Sequence, residues 1–218
     1  MQYKIEQQVK GTRIIAGDEA RARRTILNKF IEIVESHGFN EILLPIIEPQ
    51  EVYTNKAGQE ILNQMYTFND KSDRELCLRP EGTATIQLLA DEHFKGHKDK
   101  KFWYFTPCYR YERPQAGRYR EFYQFGVEWL NPSIETDYPN DKLIDIAKIM
   151  LKEIGINESQ YSINDSVKRG LDYYTEDGFE ISADELGAQK QILGGGSYKQ
   201  GIGFAFGFDR VMLLKRNV

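Results

Sequence analysis

The sequence predicts an α+β domain, an antiparallel sheet flanked by helices. Three features carry that prediction. Residues 102–130 read as two aromatic-rich strands joined by a charged loop. Residues 201–208 alternate between small and large side chains. Residues 18–37 and 141–154 instead repeat apolar residues at helical spacing. Aromatic and β-branched residues suit a pleated, half-buried surface, while a period near 3.6 marks an amphipathic helix.

Taken in order, residues 1–17 form a lead-in with a turn at Lys10-Gly11-Thr12-Arg13. A helix follows from Asp18 to His37: Ile26, Leu27, Phe30, Ile33 and Val34 share a face, and Gly38 supplies the stop. Glu41 to Ile47 is a short apolar strand interrupted by Pro45. Proline donates no ladder hydrogen bond, so the strand lies at an edge or ends there. A bare apolar edge invites pairing, which a second copy of the chain or a covering helix would satisfy. Gln50 to Gln64 is helical with a break at Gly58. Met65 to Phe68 and Glu75 to Arg79 make a hairpin around Asn69-Asp70-Lys71-Ser72-Asp73. Leu78-Arg79-Pro80-Glu81-Gly82-Thr83 then leads into a helix from Ala84 to Phe94, with Thr83 as its cap and Glu81 at its positive end. His93 and His97 stand four apart, but Gly96 weakens the helix and no third ligand is near, so no metal is predicted there.

Beyond the central hairpin, Pro139-Asn140-Asp141 starts a helix striped by Leu143, Ile144, Ala147, Met150, Leu151 and Ile154 and ended by Gly155. Tyr161 to Asn164 and Phe179 to Ile181 read as strands. Between them lie Arg169-Gly170-Leu171-Asp172-Tyr173-Tyr174-Thr175 and a turn at Glu176-Asp177-Gly178. Ser182 to Gly187 is irregular, and Gln191 to Leu193 runs into Gly194-Gly195-Gly196-Ser197-Tyr198. In the last strand Gly201, Gly203, Ala205 and Gly207 leave one face nearly bare, while Ile202, Phe204, Phe206 and Phe208 load the other. Either a flat group such as a purine packs on the bare face, or a helix approaches it closely. Arg210 opens a helix over Val211 to Lys215. No Walker signature, dinucleotide fingerprint or Ser/His/Asp set is present.

In the central hairpin Glu112, Arg113, Pro114, Gln115 and Gly117 form the connection. On the return strand Tyr123, Phe125, Val127 and Trp129 point one way, and Phe122, Gln124, Gly126 and Glu128 the other. The second face offers an amide and a carboxylate, with Arg110, Arg113, Arg118 and Arg120 in or beside the loop. It fits a ligand with an amine at one end and phosphates at the other. It also fits a solvated loop over the wet side of an antiparallel sheet.

The totals bound these readings. The 218 residues suffice for one domain with a sizeable core or for two small ones. A content of 40% apolar and 28% charged residues is that of a soluble globular protein. No apolar run reaches the roughly 18 residues of a membrane span, and the N-terminus carries no signal-peptide core. Cys77 and Cys108 make neither a disulfide framework nor a metal-ligand pattern, so a reducing cytoplasm is expected. The net charge of −4 argues against a general basic nucleic-acid binder and leaves room for a local basic patch.

Together these stretches resemble the catalytic core of the class II aminoacyl-tRNA synthetases, and within them the histidyl-tRNA synthetase family. Residues from about 18 to 47 look like motif 1, the dimerisation element. Tyr109-Arg110-Tyr111-Glu112-Arg113-Pro114 through Glu128, within about 102–130, resembles motif 2. Gly203 through Arg210, within about 201–215, resembles motif 3. The stretch 78–83 is a sharper signal, as is 169–175, which is similar to the motif of the family's histidine pocket. The resemblance implies a single class II synthetase-like catalytic domain over 1–218. It implies histidine and ATP as substrates, Mg²⁺ on the phosphates, a homodimer, and tRNA or another molecule as acceptor.

By the same resemblance Arg110 would hold the ATP α-phosphate and Arg210 the γ-phosphate end. Glu112 would contact the adenine, Phe122 would stack on it, and Arg118 would help bind the phosphate tail. Glu81 and Thr83 would take the histidine α-amino group with Gln124. Glu128 and Tyr174, with Tyr198, would read the imidazole, and Tyr173 belongs to the same pocket motif. Arg169 would sit by the carboxylate and α-phosphate, so Arg110, Arg169 and Arg210 are the catalytic candidates. Attack of a carboxylate on phosphorus needs positioning and charge neutralisation more than a protein nucleophile.

The sequence also departs from the family pattern. It stops soon after motif 3, so no anticodon-binding domain is expected, and about a dozen residues replace the family's insertion before Arg169. Ser197 and Lys199 stand where the family has arginine and aspartate, and Asp209 replaces the usual glutamate. Two other functions stay open: a freestanding amino-acid ligase with a non-tRNA acceptor, and a non-catalytic histidine-binding regulator resembling the ATP phosphoribosyltransferase regulatory subunit. The four cations Arg110, Arg118, Arg169 and Arg210 favour an enzyme, because a histidine sensor has no use for them.

Overall fold

The computed structural model describes residues 5–54, 59–133, 139–167, 178–187 and 189–217. Helix α1 (Gly17–Ser36) buries Arg23, Ile26, Phe30 and Val34, three and four apart on one face. Gly38 ends it with a φ of 82° and an N–H bond to the Glu35 carbonyl at 2.9 Å. The single strand expected next is two. β1 (Asn40–Glu41) and β2 (Ile47–Pro49) join different sheets, with Pro45 interrupting the ladder between them. Helices α2 (Glu51–Thr54) and α3 (Gln59–Leu62) stand where one broken helix was expected, and residues 55–58, with Gly58, lie outside the described residues. β3 (Tyr66–Asn69) and β4 (Glu75–Leu78) form the anticipated hairpin, which with β2 makes a small antiparallel sheet.

The chain continues through α4 (Thr83–His93), β5 (Lys100–Tyr109), β6 (Glu121–Leu130) and α5 (Pro139–Glu153). Then come β7 (Ser162–Val167), β8 (Gly178–Ser182), β9 (Gln191–Tyr198), β10 (Gly201–Gly207) and α6 (Phe208–Asn217). The large sheet runs β1-β5-β6-β10-β9-β8-β7. β1 pairs parallel with β5, and the other described pairings are antiparallel. β9 extends through the Gly194-Gly195-Gly196 run, where a Cβ on Gly195 would lie 2.5 Å from Phe179 Cζ. Helix α6 begins at Phe208, so Arg210 belongs to its first turn rather than preceding it. Helix α4 ends at His93, which leaves His97 beyond it and not on a shared face.

One face of the large sheet makes the core. Phe125 and Val127 from β6, Ile202, Phe204 and Phe206 from β10, and Phe179 from β8 pack with Phe30 of α1 and Leu143, Met150 and Leu151 of α5. The Phe30 ring lies 5.3 Å from that of Phe125 and 5.1 Å from that of Phe206. The opposite face carries Gln124, Gly126 and Glu128 and is covered by α4, whose Ile86 and Ala90 pack with Tyr104, Leu130 and Tyr198. A one-residue slip of β6 would exchange these two sets, so the aromatic core fixes which side chains reach the polar face. Among the described residues no helix is long and apolar enough to cross a membrane.

Candidate active site

The polar side chains on the α4 side form two groups. The first is centred on Glu128, which is 0% exposed. Its Oε1 accepts the Thr83 hydroxyl and its Oε2 the Tyr198 hydroxyl, each at 2.7 Å. Burial pushes the Glu128 carboxyl up to about 8, and the two hydroxyls only partly oppose that shift.

Glu81 lies beside it, also buried. Its Oε2 accepts the Thr83 N–H at 2.7 Å and its Oε1 the Ala84 N–H at 2.9 Å. Thr83 was expected to cap α4; Glu81 does so instead, and the Thr83 hydroxyl is spent on Glu128. Burial raises the Glu81 carboxyl above its ordinary range against the pull of those two amides and of Arg110. Gln124 Oε1 accepts the Gly82 N–H at 3.2 Å and faces Cys108 Sγ at 3.3 Å. The structure thus brings Glu81, Thr83, Gln124, Glu128 and Tyr198 together.

The bare face of β10 divides between two uses. Gly203 stands opposite Glu128 in register, and a Cβ there would overlap Glu128 Oε2. The Glu128 carboxylate takes that space. At Gly207 the stem of Arg210 approaches instead, with Arg210 Cδ 3.6 Å from where a Cβ would lie.

The second group is cationic. Arg110 Nε donates to the Pro80 carbonyl at 2.9 Å, and its guanidinium lies 5.2 Å from the Phe122 ring centroid. Arg118 is ion-paired with Glu112. Arg210 donates to Gly117 O at 2.9 Å, Gln191 O at 2.8 Å and Gln189 Oε1 at 3.0 Å. Burial, then the charges of Arg110 and Arg118, draw Arg210 down to about 10. Like charges held that close gain when an anion is placed among them. Arg169, Tyr173 and Tyr174 lie outside the described residues. Sequence reasoning missed Gln189 and the Gly117 carbonyl as the anchors of Arg210; both lie in loops, which carry no periodic signal.

A mostly antiparallel sheet packed by helices on both faces, with this hairpin and arginine set, defines a class II aminoacyl-tRNA synthetase catalytic fold. A family model described as histidyl-tRNA synthetase matches residues 11–160. The histidine–tRNA ligase of Archaeoglobus fulgidus is 32% identical, with 93% of this chain and 74% of that protein covered. That of Methanoregula boonei is 31% identical, with coverage of 95% and 74%. The apo histidyl-tRNA synthetase of S. aureus superposes with a TM-score of 0.78 at 25% identity, covering 97% of this chain and 70% of that one. A Bacillus halodurans protein described as an ATP phosphoribosyltransferase regulatory subunit/histidyl-tRNA synthetase shares the fold, with a TM-score of 0.79 at 16% identity and coverage of 98% and 84%. The chain belongs to the histidyl-tRNA synthetase family. Its alignment with the A. fulgidus protein runs over 305 positions but takes in 93% of a chain of 218 residues, so a large part of the relative falls opposite gaps internal to this chain.

Proposed function

We propose that this chain activates histidine with ATP, forming histidyl-adenylate and pyrophosphate, and passes the histidyl group to tRNA or another acceptor. One observation carries the reading: a buried Glu128 held by two hydroxyls lies on one face of the sheet, and Arg110, Arg118 and Arg210 gather at the loop and helix end beside it. A carboxylate between two hydroxyls suits the paired nitrogens of an imidazole, and an analogue lacking them would leave buried polar atoms unpaired.

The substrate carboxylate attacks the α-phosphorus. The bond from that phosphorus to the bridging oxygen breaks, and its electron pair leaves with pyrophosphate. Arg110 steadies the α-phosphate, Arg210 and Arg118 the phosphate tail, and Arg169 the reacting carboxylate. Phe122 supports the adenine and Glu112 contacts it. Glu81, whose carboxylate retains lone pairs beyond the two amide bonds, takes the α-ammonium group together with Gln124. Thr83 adds a second duty, the orientation of Glu128. Tyr198 completes the imidazole site with Tyr173 and Tyr174. Mg²⁺ entering with ATP would neutralise the charge of the phosphates.

The working form is a homodimer of one catalytic domain in the cytoplasm. Leu43 at 83% exposure, with Ile46 and Ile47 also exposed, lines the segment between the edge strands β1 and β2, and a second copy would cover it. The test is ATP–pyrophosphate exchange on the purified chain with each of the twenty amino acids. Exchange with histidine alone is expected. Exchange with another amino acid would mean that Ser197 and Lys199 have redirected the pocket. Histidine binding without exchange would move the chain to the regulatory reading.

A further inference from the structure

The lead-in before α1 is bound to the cationic end of the site at several independent points. Arg13 donates through Nη2 to Asp209 Oδ1, and Arg23 of α1 donates to the same oxygen at 2.6 Å. Asp209 Oδ2 accepts the Tyr123 N–H at 2.7 Å. This carboxylate thus joins the lead-in, α1, β6 and α6, one residue before Arg210. The Arg13 guanidinium also lies 3.6 Å from the centroid of the Tyr119 ring, inside the loop of 110–120. Two residues earlier, the Gly11 carbonyl accepts the Arg120 N–H at 2.8 Å. Gly11 has a φ of 88°, and a Cβ on it would fall 2.8 Å from Arg120 Cγ and 2.9 Å from Pro114 Cγ. Arg120 in turn donates Nε to the Glu112 carbonyl at 3.1 Å.

We propose that residues 11–13 are a strap that holds the 110–120 loop against the first turn of α6, which makes Arg13 a positioning residue for ATP. The loop carries Glu112 and Arg118, and its Gly117 carbonyl holds Arg210. Ordering such a loop only on binding would cost backbone and side-chain entropy; a loop ordered beforehand spares the ligand that cost. The Asp209 side chain is 3% exposed and that of Arg13 12%, so water screens their attraction weakly. Among the described residues, the hydrogen bonds and ion pairs of Gly11 and Arg13 run to Arg120, Glu121 and Asp209 and not to the Glu81–Glu128 group. The effect of the strap falls on one substrate and not the other, whereas a general stabiliser of the fold would affect both alike. The ATP part of this inference rests on the proposed function; the hold on the loop does not.

The test compares Arg13→Ala and Gly11→Ala with the parent chain. Backbone hydrogen exchange is followed in the ligand-free protein, and ATP and histidine affinities are measured separately by calorimetry. Losing the charged bond of Arg13, or forcing a Cβ at Gly11 against Arg120 and Pro114, should speed exchange over 110–121 and weaken ATP by about tenfold each, with histidine affinity and exchange in β9 and β10 little changed. Arg13→Lys, which keeps the ion pair, should recover part of both effects. Unchanged exchange in the loop would overturn the strap, as would faster exchange across the whole sheet or equal weakening of both ligands. Were the parent chain to bind neither ligand, the proposed function would fail, and loop exchange alone would still decide whether the strap exists.

Discussion

Gly203 and Glu128 face each other across β10 and β6, and the space left by the absent side chain of the glycine is filled by the Glu128 carboxylate. Gly203→Ala would push that carboxylate aside. The nearest atoms belong to the Glu128 carboxyl, a movable side chain, while the Val127 carbonyl at 3.0 Å must give only slightly, so the chain should still fold. Histidine affinity should fall by about tenfold or more, as expected when a charged hydrogen-bonding partner is misplaced, with ATP affinity retained. Calorimetry with each substrate checks this, and a variant with normal histidine affinity would remove Glu128 from the imidazole site.

Glu128 also sets a pH dependence. Burial raises the folded Glu128 carboxyl to about 8 from an ordinary value of 4.5. Between those values the folded state binds more protons than the unfolded, so stability falls as pH rises through the window. The contribution is complete below the lower value and lost above the upper. Glu81 and Glu48 are shifted in the same direction, so the informative quantity is a difference between proteins. Urea midpoints measured at pH 5 and pH 8 should separate less for Glu128→Gln than for the parent chain. Equal separations would contradict the assigned burial effect.

Thr83 lowers the Glu128 pKa by donating to it. Thr83→Val keeps the shape and deletes the donor, so the Glu128 carboxyl should titrate higher still. The pH profile of histidine binding should then move upward, and Thr83→Ser should restore it. A profile that ignores Thr83→Val would mean that the bond does not govern the proton on Glu128.

Away from the site, Arg79 is fully buried and spends its guanidinium on Pro45 O, the Thr106 hydroxyl and Pro107 O. Arg79→Met would fill similar space and leave those acceptors orphaned. A loss of about 3 kcal/mol is expected in urea unfolding, in line with breaking one side of a buried polar network. A loss below about 1 kcal/mol would mean that water replaces the arginine, since a solvated acceptor costs little.

The sequence made legible what depends on near neighbours. The period-two pattern at 122–129 and 201–208 assigned both sheet faces, because a strand alternates whatever surrounds it. It gave the cap of α4 to Thr83 and not to Glu81, since both lie within reach of the same amides and the choice depends on Glu128 from another element. Nothing local shows that β9 continues through Gly194-Gly195-Gly196, since glycine weakens strands; Phe179 from the neighbouring strand occupies the room that Gly195 leaves. Arg13 and Asp209 are 196 positions apart, and a contact at that separation leaves no local signature at all.

Phe122, Gln124 and Glu128 all project from one face of β6. A strand advances about 3.3 Å per residue, so the first and last of these stand about 20 Å apart along a stiff scale. What is recognised at one end is thereby measured against what is recognised at the other, without any closing movement to adjust the distance. Replacing a side chain alters one graduation. Deleting a residue from β6 between Phe122 and Glu128 would carry Glu128 to the aromatic side and bring Val127 or Phe125 to the substrates. Evolution can therefore rewrite the marks on this strand far more easily than it can change their number.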